Sequence, residues 1–312
     1  MFSCYSLISE RGSVRNSLRE LLKQTIFLKF KLPHSELDLD SIKLSTAEDD
    51  VFECVSDNAL SEIIYNSIIE YSFNEFELKD CELASLLNVA LKTKIKYKEY
   101  QTQGTKIKYG FYGEVLLYLM LCQFYKSSPL ISRGYFYNPL ENSETKGYDS
   151  YHLIEGEEKI ELWFGEVKFR VTLDSGAKSA IEGMDKAFSD GYLEDNILAM
   201  VNHRNNLGVK GSKLESVIDS WIEKPSISII DEVKKHNMKL VYPVLLIYPS
   251  DCSDLESQIR KTVKHINDKF SKKTYSLSID YELFFMLMPV GNVKQIKEEV
   301  ITWIDSKKLL LS

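Results

Sequence analysis

Residues 146–169 read KGYDSYHLIEGEEKIELWFGEVKF, and this stretch contains two strand-like runs on either side of an acidic turn. The runs over residues 148–154 and 159–170 are rich in aromatic and branched apolar side chains, which is typical of β-strands. The EGEE sequence at residues 155–158 predicts the turn between them. We therefore expect a β-hairpin in this part of the chain.

The predicted register of the hairpin brings two carboxylates together. A four-residue loop pairs Ile154 with Lys159 and puts Asp149 opposite Phe164. Because side chains alternate between the faces of a strand, Asp149 then shares a face with Glu166, at a diagonal spacing of about 7–8 Å. A loop of odd length would reverse the faces and separate the two acids.

The composition of this face predicts a metal site. Lys168 lies beside Glu166, whereas Trp163, Val167 and Phe169 point to the opposite face, which is apolar and expected to pack into a core. Mg²⁺ prefers oxygen ligands and retains several waters, so Asp149 and Glu166 are predicted metal ligands, with the Val167 carbonyl as a third. Mn²⁺ is the alternative ion. Lys168 is expected to position or deprotonate an attacking water and to screen charge on a phosphate.

The surrounding sequence alternates helical and strand-like segments, which indicates an α/β protein. A buried helix is predicted over residues 111–125, FYGEVLLYLMLCQFY, because Glu114 and Gln123 are its main polar side chains. An amphipathic helix is predicted over residues 177–188. Further helices are expected over residues 58–71, 82–91, 254–269 and 293–309, and further strands over residues 135–138, 240–248 and 281–288.

An acid on one strand followed by Glu-x-Lys on the next resembles the PD-(D/E)xK nuclease superfamily. Asp149 matches the acid and residues 166–168 match the triplet, although Tyr148 replaces the usual preceding proline. The resemblance implies a restriction-endonuclease-like core, with a central mixed β-sheet flanked by helices, over residues 106–312. A mostly helical region is expected over residues 1–105. Glu114 matches a further catalytic acid that the superfamily often carries on a preceding helix.

The FYGEVLLYLML helix and the two strands together also resemble the HamA family, the nuclease subunits of the Hachiman anti-phage defence system. This resemblance implies a Mg²⁺-dependent DNA endonuclease held by a helicase partner, HamB. Two other functions remain open at this point. The chain could be a catalytically silent nuclease-fold module that binds and regulates a helicase, or it could be a nuclease that cuts RNA.

Charge is unevenly distributed along the 312 residues, which contain 39 Lys or Arg and 46 Asp or Glu. The net charge of −7 excludes a uniformly basic nucleic-acid binder but not a locally basic one. Residues 35–82 hold 14 acids against two lysines, so this acidic block carries −12 and the remainder +5. The block is expected to bind a basic partner, to shield a basic groove, or to form a solvated helical surface.

Two groups of lysines are candidates for contacts with DNA phosphates. Residues 92–98, KTKIKYK, would place four lysines on one face of a strand, and Lys94 and Lys96 are its predicted DNA contacts. The same pattern is also typical of a solvated edge strand that lysines protect from aggregation. Lys178, in the helix after the Glu-x-Lys strand, is the third predicted contact.

Other classes of site and location have little support in the sequence. The five cysteines are dispersed without a CxxC pair, and the five histidines form no HExxH motif, so neither a disulfide framework nor a zinc site is predicted. No apolar run reaches the ~20 residues of a membrane span. With no secretory signal at the start, the sequence predicts a cytoplasmic protein.

Overall fold

The fold is known from a computed structural model. It describes residues 14–33, 45–74, 82–132, 147–223, 227–251, 254–269 and 274–311, with the backbone of residues 137–138 and 143–144. Residues 135–136 of one predicted strand lie outside these ranges. So do residues 35–44 and 75–81 of the acidic block.

Groups of helices and groups of strands follow one another along the described chain. The helices are α1 (Asn16–Thr25), α2 (Asp57–Asn66), α3 (Ile68–Ser72), α4 (Leu83–Val89), α5 (Gln103–Lys106), α6 (Phe111–Phe124), α7 (Leu173–Ala187), α8 (Asp190–Val201), α9 (Lys213–Ile222), α10 (Ile229–Lys235), α11 (Leu255–Lys269) and α12 (Val293–Ser306). The strands are β1 (Ile26–Leu32), β2 (Asp49–Cys54), β3 (Ser128–Pro129), β4 (Tyr137–Asn138), β5 (Ser143–Glu144), β6 (His152–Glu155), β7 (Ile160–Trp163), β8 (Glu166–Phe169), β9 (Met238–Pro249) and β10 (Tyr281–Val290).

Eight of these strands form one mixed sheet in the order β1-β2-β10-β9-β7-β6-β3, with β8 also paired to β9. Strands β2, β10, β9, β7 and β8 run parallel, whereas β1, β6 and β3 pair antiparallel with their neighbours. Helices α7 to α11 cover one face, and α1 to α4, α6 and α12 cover the other. The predicted α/β class with a central mixed sheet flanked by helices is confirmed.

The strand predicted over residues 159–170 is interrupted, because Pro243 of β9 lies opposite the break. The N–H groups of Phe164 and Arg170 donate to Val241 O and Ile247 O, at 3.1 and 3.0 Å. By the alternation of peptide groups, residue 243 faces the same side of β9, and proline has no N–H to continue the ladder there. Phe164 and Gly165 consequently separate β7 from β8, although both strands pair with β9.

The hairpin register is wrong by two residues, but the predicted faces are confirmed. Ile154 pairs with Glu161 instead of Lys159, across a loop that spans residues 156–159. A shift of two preserves the alternation of side chains. Phe164 therefore packs in the core beneath α7, and Val167 packs in the core beneath α6. The predicted strand over residues 148–154 is shorter than expected, since β6 begins only at residue 152.

The N-terminal region contributes two strands that the sequence did not predict. β1 and β2 extend the sheet beyond β10, so residues on both sides of position 105 share one sheet and one core cluster. Parts of the acidic block are built into this structure. Asp49 is fully buried and accepts the Phe285 N–H at 2.8 Å. Asp57 accepts the N–H groups of Gly291 and Asn292, at 3.0 and 2.6 Å.

These contacts correct one interpretation of the block. Asp49 lies buried in β2 and not on a solvated helical surface, and the half-buried Asp57, at the start of α2, binds backbone groups. The two carboxylates instead tie the N-terminal strands and helices to β10 and to the residues just before α12. Within the described residues, no helix combines the length and the apolarity that a membrane-spanning segment requires.

His152 predicts how the stability of this fold depends on pH. The side chain is buried, its Nδ1 lies 2.9 Å from Ser127 Oγ, and burial lowers the pKa of His152 to about 3. The unfolded chain binds a proton below about pH 6.5 that the folded chain excludes, so stability is lost as the pH falls through that value. We expect the free energy of unfolding to fall between pH 7 and pH 5 by about 2 kcal/mol more in the wild type than in His152→Asn.

Urea unfolding followed by tryptophan fluorescence at both pH values measures this difference. Equal losses in the two proteins would contradict the assigned role of His152.

Candidate functional site

Asp149 forms hydrogen bonds with backbone groups on the edge of β8 that faces away from β9. Its N–H donates to Gly165 O at 2.9 Å, and its Oδ2 accepts the Val167 N–H at 2.9 Å. Ser150 Oγ accepts the Gly165 N–H at 2.9 Å. The carboxylate is therefore fixed against the backbone of the Glu-x-Lys strand, instead of projecting from a regular partner strand as the sequence predicted.

The Val167 peptide group faces the same edge as Asp149. Its N–H points to Asp149, and the N–H and C=O of one residue in an extended strand point to the same side. The Val167 carbonyl consequently lies on the side of Asp149, as the predicted third ligand requires.

Glu166 is largely buried and is held by two neighbours. Its Oε2 accepts the hydroxyl of Tyr242 at 2.6 Å, and its Oε1 contacts the Lys168 ammonium. Burial raises the pKa of Glu166, and repulsion from Asp149 acts in the same direction, whereas Lys168 and Tyr242 lower it. Burial and the adjacent Glu166 carboxylate also hold the pKa of Tyr242 well above its ordinary value, so Tyr242 remains a hydrogen-bond donor.

Two helical glycines let α7 and α6 approach β8 from opposite faces. A Cβ on Gly183 of α7 would lie 2.9 Å from Glu166 Oε2, and one on Gly113 of α6 would lie 2.9 Å from Val167 Cγ2. Either contact is shorter than a real Cβ tolerates. The strand that carries Glu166 and Lys168 is thus held between two helices at close range.

The two carboxylates line one small cavity of about 100 Å³. Its other lining residues are Gly147, Tyr148, Gly183, Lys186, Ala187, Tyr192 and Tyr242. The predicted pairing of Asp149 with Glu166 at one site therefore has a structural basis. Sequence reasoning did not find Lys186, Tyr192 or Tyr242. A helical wheel centred on Gly183 would have indicated Lys186, but no local signal pointed to Tyr242.

Glu114 does not line this cavity. It is 8% exposed, and the hydroxyl of Tyr71 donates to its Oε2. Glu114 follows Gly113, which packs against Val167, whereas Glu166 faces α7 on the other side of the sheet. The predicted catalytic acid Glu114 therefore lies outside the lining of the carboxylate cavity.

The predicted DNA-contacting lysines also lie outside the cavity lining. Residues Ala90–Lys94 form a π-helical turn and Lys96 has a φ of 57°, so the predicted strand with a lysine stripe is wrong. The Lys94 ammonium lies 5.5 Å from the centroid of the Phe73 ring. Lys178 is exposed and lies 3.9 Å from the Glu182 carboxylate.

The donors around the cavity fit a hard divalent cation. Asp149, Glu166 and the Val167 carbonyl offer oxygen atoms only, and carboxylate oxygens have lone pairs beyond those used by their present partners. In the described part of the chain, no group of three or more His, Cys, Asp or Glu side chains is placed to hold a metal. A set of two carboxylates suits Mg²⁺, which retains waters, better than zinc, which takes nitrogen and sulfur ligands.

Gly183 provides a test of the close approach at Glu166. Replacing a helical glycine by alanine stabilises a protein by up to about 1 kcal/mol where there is room. Gly191 in the first turn of α8 has open space around it, so Gly191→Ala should show part of this gain. Gly183→Ala should not, because Tyr242 and Lys168 hold the carboxylate that its Cβ would meet.

Combining Gly183→Ala with Glu166→Ala should restore the gain in a double-mutant cycle of unfolding free energies. Additive effects of these two changes would show that the contact does not constrain the helix.

One comparison with known proteins identifies the family. A family model described as HamA matches residues 25–304, which includes the sheet, the cavity and the helices on both faces. No curated protein matches the chain. Because the match covers most of the 312 residues, the chain belongs to the HamA family and is a component of the Hachiman anti-phage defence system.

Proposed function

We propose that this protein is a metal-dependent DNA endonuclease and acts as the effector subunit of a two-component defence complex. The observation that carries the proposal is the placement of Asp149 and Glu166 at one cavity, with Lys168 in contact with Glu166. This is the arrangement of residues that the resemblance to PD-(D/E)xK nucleases requires. Family membership supports the defence role, and the family resemblance suggests DNA as substrate and a HamB-like helicase as partner.

Asp149, Glu166 and the Val167 carbonyl would hold the ion, Mg²⁺ or Mn²⁺. When bound, it would supply a Lewis acid that polarises the phosphate and favours deprotonation of the attacking water. The chain's own contribution is to fix the oxygens in advance. Asp149 is held by the Val167 N–H and Glu166 by the Tyr242 hydroxyl, so neither carboxylate needs to reorganise when substrate arrives.

Lys168 has two tasks in this proposal. Its ammonium contacts Glu166, one of the two carboxylates of the cavity, and from there it would donate a hydrogen bond to the attacking water and hold it near the phosphate. The same positive charge offsets the negative charge that develops on the phosphate oxygens. Because both carboxylates and this lysine serve a single step, removing any one of them is expected to disable the reaction.

A plasmid-nicking assay on the full chain tests the proposal. Wild-type protein with Mg²⁺ or Mn²⁺ should nick supercoiled DNA, and EDTA should stop it. Glu166→Ala/Lys168→Ala should lower the rate by at least about 100-fold, since it removes a metal ligand and the charge beside the water. Asp149→Asn should do the same with little loss of stability, because the amide oxygen can still accept the Val167 N–H.

The matched control is Glu20→Ala/Lys23→Ala, which removes an exposed Glu–Lys pair with a 2.9 Å contact on α1. This control should nick at the wild-type rate. Nicking that survives Glu166→Ala/Lys168→Ala would refute the assigned site. If the wild type cuts no DNA with either ion, the silent regulatory module is the better assignment, and parallel RNA substrates distinguish a ribonuclease.

A further inference from the structure

Lys186 is the lysine among the residues that line the carboxylate cavity. Lys186 and Tyr192 both line the cavity, and the Lys186 ammonium lies 4.5 Å from the centroid of the Tyr192 ring. Lys186 belongs to the last turn of α7, and its side chain is exposed. A cation–π contact at an exposed site is weak, so the ammonium can leave the ring for an anion that enters the cavity.

The geometry of α7 distinguishes Lys186 from Lys178. Gly183 marks the face of the helix that meets Glu166. At 3.6 residues per turn, Lys186 lies about 60° around the helix from Gly183, whereas Lys178 lies about 140° away. Lys186 can therefore reach the cavity, and Lys178 points away from it toward Glu182.

The balance of charges around the cavity suggests a role for the Lys186 ammonium beside that of Lys168. The carboxylates of Asp149 and Glu166 are balanced by the ammonium groups of Lys168 and Lys186. A divalent ion bound by the carboxylates would make the site positive by about two charges. A phosphodiester that carries one negative charge, and gains another as water attacks, matches that excess.

We propose that Lys186, supported by the Tyr192 ring, forms a phosphate-binding subsite that anchors the backbone of a nucleic acid over Asp149 and Glu166. The inference rests on the proposed nuclease function and deepens it. In this proposal the substrate enters the cavity between the last turn of α7, the start of α8 and the Gly147–Tyr148 backbone. Lys168 acts on the water, and Lys186 binds the substrate through charge without reading sequence.

Fluorescence anisotropy with full-length protein in EDTA separates binding from cleavage. The probes are a labelled DNA duplex and an RNA of the same length, titrated at several salt concentrations. Loss of one phosphate contact reduces the slope of log K against log salt by about 0.7–0.9. Lys186→Gln should show that loss and Lys186→Arg should restore it. Lys235→Gln, which removes an exposed lysine from the last turn of α10, should leave the slope unchanged.

Cleavage kinetics with Mg²⁺ provide the second measurement. Lys186→Gln should raise KM while kcat stays within about twofold, because the residue binds substrate without taking part in the chemistry. Its melting temperature should change by no more than about 2 °C, since the side chain is exposed. A large fall in melting temperature, with no change in salt slope, would show a structural role and overturn the inference.

The outcomes also separate this inference from the proposed function. If the wild type cuts DNA but Lys186→Gln has the same salt slope as Lys235→Gln, the subsite is refuted and the nuclease stands. The same conclusion follows if Lys178→Gln, and not Lys186→Gln, has the reduced slope. If the wild type, given Mg²⁺, neither binds nor cuts DNA or RNA, both proposals fail.

Discussion

The candidate site depends on the contact between Pro243 and Gly165. Pro243 lies in the strand at the centre of the parallel region, on the side that faces β7 and β8, and it has no N–H to donate. Gly165 approaches it so closely that a Cβ would lie 2.8 Å from both the Pro243 ring and its carbonyl oxygen. The neighbouring strand is therefore interrupted at this point. The backbone groups of Gly165 face away from β9 and bind Asp149 and Ser150.

The free edge of β8 explains how a buried sheet brings two carboxylates to one cavity. An uninterrupted strand paired on both edges would leave no backbone group for Asp149 to bind. Because β8 has a partner only at β9 among the described strands, its other edge is available, and the Val167 N–H fixes Asp149 there. Glu166 then projects toward α7, where Gly183 leaves room for its carboxylate and Tyr242 orients it.

The sequence predicted which side chains lie together at the site better than it predicted which backbone groups and neighbouring strands hold them. The alternation of Glu166 and Lys168 with Val167 and Phe169 is a local property, so it survived an error of two residues in the register. The break at Gly165 was not predictable, because its cause lies in a strand more than seventy positions along the chain. The predicted lysine stripe is wrong because a π-helical turn ends at Lys94, so the side chains do not alternate between two faces as they would in a strand. The charged strand β2 was missed because buried aspartates that cap backbone groups resemble solvated ones in a sequence.

The two N-terminal strands also determine how far the chain can be shortened. β2 covers the edge of β10, a strand that reads YELFFMLMPV and is buried over most of its length. A fragment that began at residue 106 would retain every residue of the carboxylate cavity. It would also expose that apolar edge, with its unpaired N–H and C=O groups, to other copies of the fragment. Self-association through β10 is the expected fate of such a fragment, so the part of the sheet that carries the carboxylate cavity depends on its N-terminal strands to cover that edge.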